Sequence, residues 1–183
     1  MAGNTNLSSA RGSYDGVAKA LHWGIAGLIV LAFTLGLLID AFPRTWKYMA
    51  VESHKAIGLA ILLLLALRLA WRATHRPPVP AEASPWLNRA ARLGHAGLYA
   101  LMVAAPAAGL AYMVLRGQGL DLGLFQIPPL AAAWPREVTR PIRELHEWLT
   151  YGLIALAALH ALAALWHHLI RKDDTLRLML PGK

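Results

Sequence analysis

The stretch Leu145–Ile170, LHEWLTYGLIALAALHALAALWHHLI, decides how the whole chain is read. A helix rises 1.5 Å per residue and about 20 residues cross ~30 Å of hydrocarbon, so this run is long enough to span a membrane. Its Leu- and Ala-rich centre, Tyr151–His160 (YGLIALAALH), favours helix, and strand-like alternation is absent. In lipid every backbone polar group needs a partner within the structure, which leaves helices or closed barrels as the only spanning elements.

Outward from this segment, three more apolar runs appear at about Ala20–Ile39, His54–Trp71 and His95–Leu115. The chain is therefore expected to be an all-α membrane protein, a four-transmembrane-helix bundle forming a single domain over residues 1–183. The helices are expected at about 20–39, 54–71, 95–115 and 145–170. Composition agrees: 57% of residues are apolar and 15% charged, against roughly 25% charged in soluble domains. Mean hydropathy is +0.43. Asp40-Ala41-Phe42-Pro43, Arg76-Pro77-Pro78-Val79-Pro80 and Ile127-Pro128-Pro129 read as connections, and Pro106 as a kink within the third run. The first apolar run is longer than the ~7–15 residues of a signal-peptide core and has no clean cleavage site after it, so it reads as a retained helix.

The net charge of +8 does not form a nucleic-acid stripe, because the basic residues flank apolar segments without interleaved aromatics. It reads instead as membrane topology. Eleven Lys and Arg fall on one side (Arg11, Lys19, Arg68, Arg72, Arg76, Arg89, Arg92, Arg171, Lys172, Arg177 and Lys183) and seven on the other (Arg44, Lys47, Lys55, Arg116, Arg136, Arg140 and Arg143). The positive-inside rule then places both termini in the cytoplasm.

There are no cysteines, which excludes disulfides, covalent c-type haem, iron–sulfur clusters and thiolate zinc sites. Redox or metal chemistry therefore falls to the eight histidines. His146 and His160 lie 14 residues apart on the fourth helix, which puts them within about 40° of one face and about 21 Å apart along the axis. His22 opens the first helix and His54 the second, which runs the other way. His22 is thus expected at the depth of His160, and His54 at that of His146. Facing imidazoles on different helices with apolar walls between them are what a bis-histidine b-type haem requires. Gly24, Gly27, Gly58, Gly152 and Ala161 would let a flat porphyrin approach the backbone or simply pack helices. Zinc would instead gather three or four ligands around one metal, and these pairs are split across the bilayer. His95 reads as a haem-propionate or quinone-pocket residue, with ligation in place of His22 as the alternative; His75 reads as a solvated loop residue.

These residues carry a resemblance. Ala20-Leu21-His22-Trp23, Glu52-Ser53-His54-Lys55, Leu93-Gly94-His95, Leu145-His146-Glu147, Leu159-His160-Ala161, His167-His168, Lys172-Asp173-Asp174-Thr175-Leu176 and Met179-Leu180-Pro181 together resemble the bacterial cytochrome b561 family over nearly the whole chain. The histidine arrangement is also similar to the cytochrome b subunits of formate dehydrogenases and nickel–iron hydrogenases. The resemblance implies two haem b groups, location in the bacterial inner membrane as a multi-pass protein, and quinone as redox partner. For one branch it implies oxidation of superoxide to dioxygen with electrons passed to ubiquinone. Both axial positions of a bis-histidine haem are filled, so small one-electron partners would react at the haem edge. Arg44, Lys47, Lys55, Arg116, Arg136, Arg140 and Arg143 are candidates for steering superoxide to the His54/His146 end, although six carboxylates (Asp40, Glu52, Asp121, Glu137, Glu144 and Glu147) share that side. His95, His167 and Trp166 are the candidate quinone pocket near the cytoplasmic haem, where imidazoles would donate hydrogen bonds and relay protons. No obligatory protein partner is indicated. Two other readings share the same residues: a cytochrome passing electrons from a dehydrogenase or periplasmic carrier to quinone, and a non-catalytic haem-binding bundle.

Overall fold

The computed structural model describes residues 13–75 and 85–181. Arg11, the turn Arg76-Pro77-Pro78-Val79-Pro80 and Lys183 therefore lie outside the described residues. Four long helices dominate: α1 (Gly16–Leu38), α2 (Arg44–Thr74), α3 (Pro85–Leu115) and α4 (Arg136–Trp166). Each belongs to a segment long and apolar enough to cross a membrane. The chain is an all-α membrane bundle.

Local chemistry sets the helix ends. Asp15 caps α1 by accepting the Ala18 N–H at 2.9 Å, and its two carboxylate oxygens also take the Trp71 indole N–H at 3.1 Å. The start of α1 is thereby tied to the end of α2. Those bonds, the Ala18 amide first, hold the Asp15 carboxyl below its ordinary range. Pro43 and Pro135 precede α2 and α4, and Pro85 opens α3, each using the fixed φ of proline where no helical N–H is needed. As a result α2, α3 and α4 start at Arg44, Pro85 and Arg136, well before the expected His54, His95 and Leu145. Hydropathy marks only the part of a helix that lies in lipid; the polar first turns extend beyond it.

The α3–α4 connection carries a small antiparallel hairpin, β1 (Leu120–Asp121) against β2 (Gln126–Ile127). It is latched to α2, because Glu52 accepts the Asp121 N–H at 2.9 Å while Lys55 donates to the Gly119 carbonyl at 3.0 Å. At the other end, α4 runs into a π turn, His167–Arg171, closed by Lys172 in the left-handed conformation. The tail then folds back on α1: Tyr14 N–H and Ser13 Oγ both reach the Leu178 carbonyl, and Trp23 Nε1 donates to the Met179 carbonyl at 2.9 Å. Both described ends of the chain thus sit at one end of the bundle, called inner below; the end with the α1–α2 and α3–α4 connections is called outer.

The helices pack chiefly as two pairs, α1 with α2 and α3 with α4. Among the described residues only nine apolar side chains are buried, including Ile25, Ile61, Leu65, Ala105 and Leu153, so the seam between the pairs is thinly filled by protein. Val30, Leu37, Leu63, Leu67, Leu159 and Leu169 remain exposed around the outside, as lipid-facing side chains do.

Candidate functional site: paired histidines in two layers

All four helices repeat one interval. His22 and Gly36 on α1, His54 and Arg68 on α2, His95 and Gly109 on α3, and His146 and His160 on α4 are each 14 residues apart. Because α1 and α3 run opposite to α2 and α4, these positions form two layers. The outer layer holds His54, His146, Gly36 and Gly109; the inner layer holds His22, His95, His160 and Arg68.

In the outer layer the His54 and His146 ring centres are 6.0 Å apart, with planes at 84°. His54 Nδ1 donates to the Ala32 carbonyl at 2.9 Å and His146 Nδ1 to the Ala105 carbonyl at 2.7 Å. A carbonyl only accepts, so Nδ1 carries the proton and each Nε2 keeps a free lone pair, the tautomer a metal-ligating histidine needs. The rings lie on bare backbone. A Cβ at Gly36 would stand 3.1 Å from His54 Cε1, and one at Gly109 3.0 Å from His146 Cε1. Ala32-x-x-x-Gly36 and Ala105-x-x-x-Gly109 therefore do the same work on two helices: the alanine carbonyl orients the imidazole and the glycine makes room for it.

In the inner layer His22 and His160 are 6.3 Å apart at 73°, and His95 lies 5.3 Å from His160 at 65°. Two imidazoles on opposite sides of one metal, with metal–nitrogen bonds of about 2.0 Å and ~1.1 Å from nitrogen to ring centre, would have ring centres about 6.2 Å apart. The His54/His146 and His22/His160 separations fit that requirement. The His95–His160 separation is shorter than it. Both fitting pairs face across the thin seam between the helix pairs.

The glycines singled out from sequence behave differently. Gly58, one turn from His54, has open space where a Cβ would stand, consistent with room for a flat ligand. Gly24 and Gly27 also have open space, but they are turned about 160° and 140° from His22 and face away from it. Gly152 packs against Leu101. Gly36 and Gly109, which sequence reading missed, are the ones in contact with the paired rings.

The outer cations are mostly neutralised. Lys47 pairs with Asp40 at 2.6 Å, Arg140 with Glu144 and Arg143 with Glu147, each at 2.7 Å. Lys55 pairs with Glu52 at 2.7 Å, both side chains only 13% exposed, and serves to latch the loop. Arg44, Arg116 and Arg136 have no carboxylate partner among the described residues. Arg116, Arg136, Arg140 and Arg143 nevertheless gather around one cavity of about 560 Å³ with Tyr112, Thr139, Glu144 and Glu147. The cavity adjoins the outer histidines, since Tyr112 is one turn beyond Gly109 and Arg143 one turn before His146.

At the inner end His167 Nδ1 donates to the Asp173 carboxylate at 2.6 Å, with Thr175 Oγ1 at 3.5 Å. Partial burial of Asp173 would raise its pKa, but hydrogen bonds from Thr175 and His167 outweigh it and hold the carboxyl down to about 2. Trp166 packs edge-on against His167 at 5.2 Å and beneath Arg171 at 5.6 Å. No ring contact or hydrogen bond joins His167 or Trp166 to His95 among the described residues. His75, expected as a solvated residue, is exposed at the C-cap of α2, where it stacks on Trp71 at 3.9 Å.

An apolar four-helix bundle with imidazoles facing one another at two depths has the architecture of the membrane-bound b-type cytochromes. Comparison with known proteins supplies the family: residues 13–182 match the family model for prokaryotic cytochrome b561, and the chain belongs to that family. It is 34% identical over 171 residues to cytochrome b561 homolog 2 of Escherichia coli (strain K12), covering 91% of this chain and 90% of the relative. It is 31% identical over 172 residues to a protein of Yersinia pestis named probable superoxide oxidase CybB, covering 93% and 97%. It is 32% identical over 168 residues to cytochrome b561 homolog 1 of the same E. coli strain, covering 89% and 94%. The chain is thus a multi-pass membrane electron-transfer protein of an oxidoreductase-type, haem b-binding cytochrome family.

Proposed function

We propose that this cytochrome holds two haem b groups, one between His54 and His146 and one between His22 and His160, and carries electrons from superoxide at the outer end to ubiquinone at the inner end. The observation that carries the reading is the pair of cross-seam imidazole contacts, 6.0 and 6.3 Å, at two depths. When bound, the two haems supply one-electron carriers with no open metal position. The chain would sit in the bacterial inner membrane with its termini in the cytoplasm. His95, nearer to His160 at 5.3 Å than the paired histidines are to one another, would be a pocket residue.

The protein's own groups divide the work. Ala32 and Ala105 fix the outer imidazoles, while Gly36 and Gly109 let the Cε1–Nδ1 edge of each ring approach the backbone closely. Arg116 and Arg136 line the outer cavity and form no ion pair among the described residues, its Glu144 and Glu147 being paired with Arg140 and Arg143, so they would attract the anion over a short range. Two superoxide anions yield two dioxygen molecules and two electrons, and with two protons these convert one ubiquinone to ubiquinol. His167, its Nδ1 held by Asp173, keeps Nε2 available to pass protons at the inner end. The name of the Yersinia pestis relative supports superoxide as donor.

A second reading follows from the neutralised outer face, where four of the seven candidate cations are paired: a dehydrogenase or periplasmic carrier would deliver the electrons instead. Purified protein supplied with a superoxide source and a soluble ubiquinone analogue separates the two. Ubiquinol formation that superoxide dismutase abolishes is expected. Haem reduction by superoxide no faster than by an uncharged reductant would transfer the role of donor to a protein partner.

A further inference from the structure

The inner layer contains one member that the histidine reading leaves unused. Arg68 occupies on α2, 14 residues from His54, the position that histidine fills on α1, α3 and α4. Its Nε donates to the Tyr99 hydroxyl at 3.3 Å, but its Nη1 is fully buried and has no hydrogen-bond partner among the described residues. Its charge lies within electrostatic reach of His22, His95 and His160. A guanidinium cation inside a membrane-spanning segment is costly unless an anion accompanies it.

No carboxylate among the described residues does so. Neither Arg68 nor Arg72 has an ion-pair partner among the described residues. Asp15 borders the same space, yet its oxygens are engaged by Ala18 and Trp71. Arg72 is one turn from Arg68 on the same helix face, and its charge also reaches His95. Both arginines line one cavity of about 370 Å³ with Tyr14, Leu21, Trp71 and Tyr99. Leu21 and Arg68 connect this cavity to the inner histidines. Two unneutralised cations, one turn apart at the edge of a site that faces imidazoles, call for a ligand with two acidic groups on one edge.

We propose that Arg68 and Arg72 receive the two carboxylates of the haem held by His22 and His160, with Tyr99 positioning Arg68. The acidic edge of that haem would then face α2 and the inner surface. The proposal rests on the histidine-pair reading above and assigns the rotational orientation of the inner haem, which that reading leaves open. Guanidinium–carboxylate pairs are of the stronger, charge-assisted kind, most so at half-buried Arg68 and less at exposed Arg72.

The test is haem exchange on the purified, haem-loaded protein. Haem release to excess apomyoglobin should be about 10- to 100-fold faster from the inner site of an Arg68→Gln, Arg72→Gln variant, a total of about 1.4–2.8 kcal/mol at about 1.4 kcal/mol per factor of ten. The outer haem should be released at its former rate, and Arg68→Lys, Arg72→Lys should recover part of the loss. The inner haem's reduction potential should also fall when the cations are removed, since the oxidised form is then less opposed. Unchanged release and potential in the glutamine variant would overturn the proposal. Wild-type protein provides a test that needs no variant: excess haem dimethyl ester, lacking both acidic groups, should fail to displace inner-site haem. Ready replacement by the ester would overturn the carboxylate assignment while leaving two low-spin haems in place, whereas a wild-type protein with only one haem would overturn the histidine pairing itself.

Discussion

Replacing Gly109 by alanine tests the outer site at its tightest contact. The new Cβ would stand 3.0 Å from His146 Cε1, 3.1 Å from Nδ1 and 3.6 Å from Nε2. The ring has to move, and the 2.7 Å bond from Nδ1 to the Ala105 carbonyl lengthens or breaks with it. Inserting one methyl into a close-packed contact costs about 1–3 kcal/mol, strained hydrogen bond included. At about 1.4 kcal/mol per factor of ten, the outer haem should bind roughly 10- to 100-fold more weakly while the inner haem is retained. Gly36→Ala acts in the same direction but more mildly, because its Cβ would be 3.1 Å and 3.4 Å from the nearest His54 atoms. Gly24→Ala, on the opposite face of α1 with nothing within 4 Å, is the control. A pyridine haemochrome assay with a redox titration of the α-band reads each haem. Two haems with unchanged affinity and potentials in Gly109→Ala would refute the placement of His146 as a ligand oriented by Ala105.

His22→Ala should strip the inner haem of its low-spin spectrum, whereas His95→Ala should leave it low-spin; the reverse would make His95 the partner of His160. Arg116→Gln with Arg136→Gln should lower the superoxide-dependent rate several-fold and flatten its salt dependence. Arg140→Gln with Arg143→Gln should do less, because those cations are paired; stopped-flow rates at several ionic strengths check this. Because the Asp173 carboxyl is held below its free value of 3.8, down to about 2, docking of the tail gains stability above the free value and loses it as pH falls from about 4 toward 2. Protection of the tail from proteolysis should decline over that range in the wild type and show no such decline in Asp173→Asn.

The membrane bundle was legible because long runs of Leu and Ala leave few alternatives, and the histidine depths followed from one interval on α4 and the reversal of direction between helices. The pairing of His22 with His160 and of His54 with His146 in space follows the same arithmetic. The role of the glycines was not legible from proximity in sequence. The glycine that accommodates His54 is on α1 and the one that accommodates His146 is on α3, so the signal was the 14-residue interval from His22 and His95, not the neighbourhood of the ligand. Arg68 was hidden for a related reason: as one of eleven basic residues on its side it counted toward topology, and only its depth opposite three histidines sets it apart. The pairing of Lys47, Lys55, Arg140 and Arg143 with nearby acids was foreshadowed by spacings of three, four and seven residues. The return of the tail to Ser13, Tyr14 and Trp23 depends on contacts more than 150 residues apart in sequence, which no local pattern encodes.

The central claim is that two histidine pairs at two depths each hold one non-covalent haem b. Haem stoichiometry with a potentiometric titration of purified protein tests it most directly. About two acid-acetone-extractable haems per chain are expected, titrating as two low-spin species, with His146→Ala and His160→Ala each removing a different one. A single haem per chain, or two species that both disappear when either histidine is replaced, would contradict it.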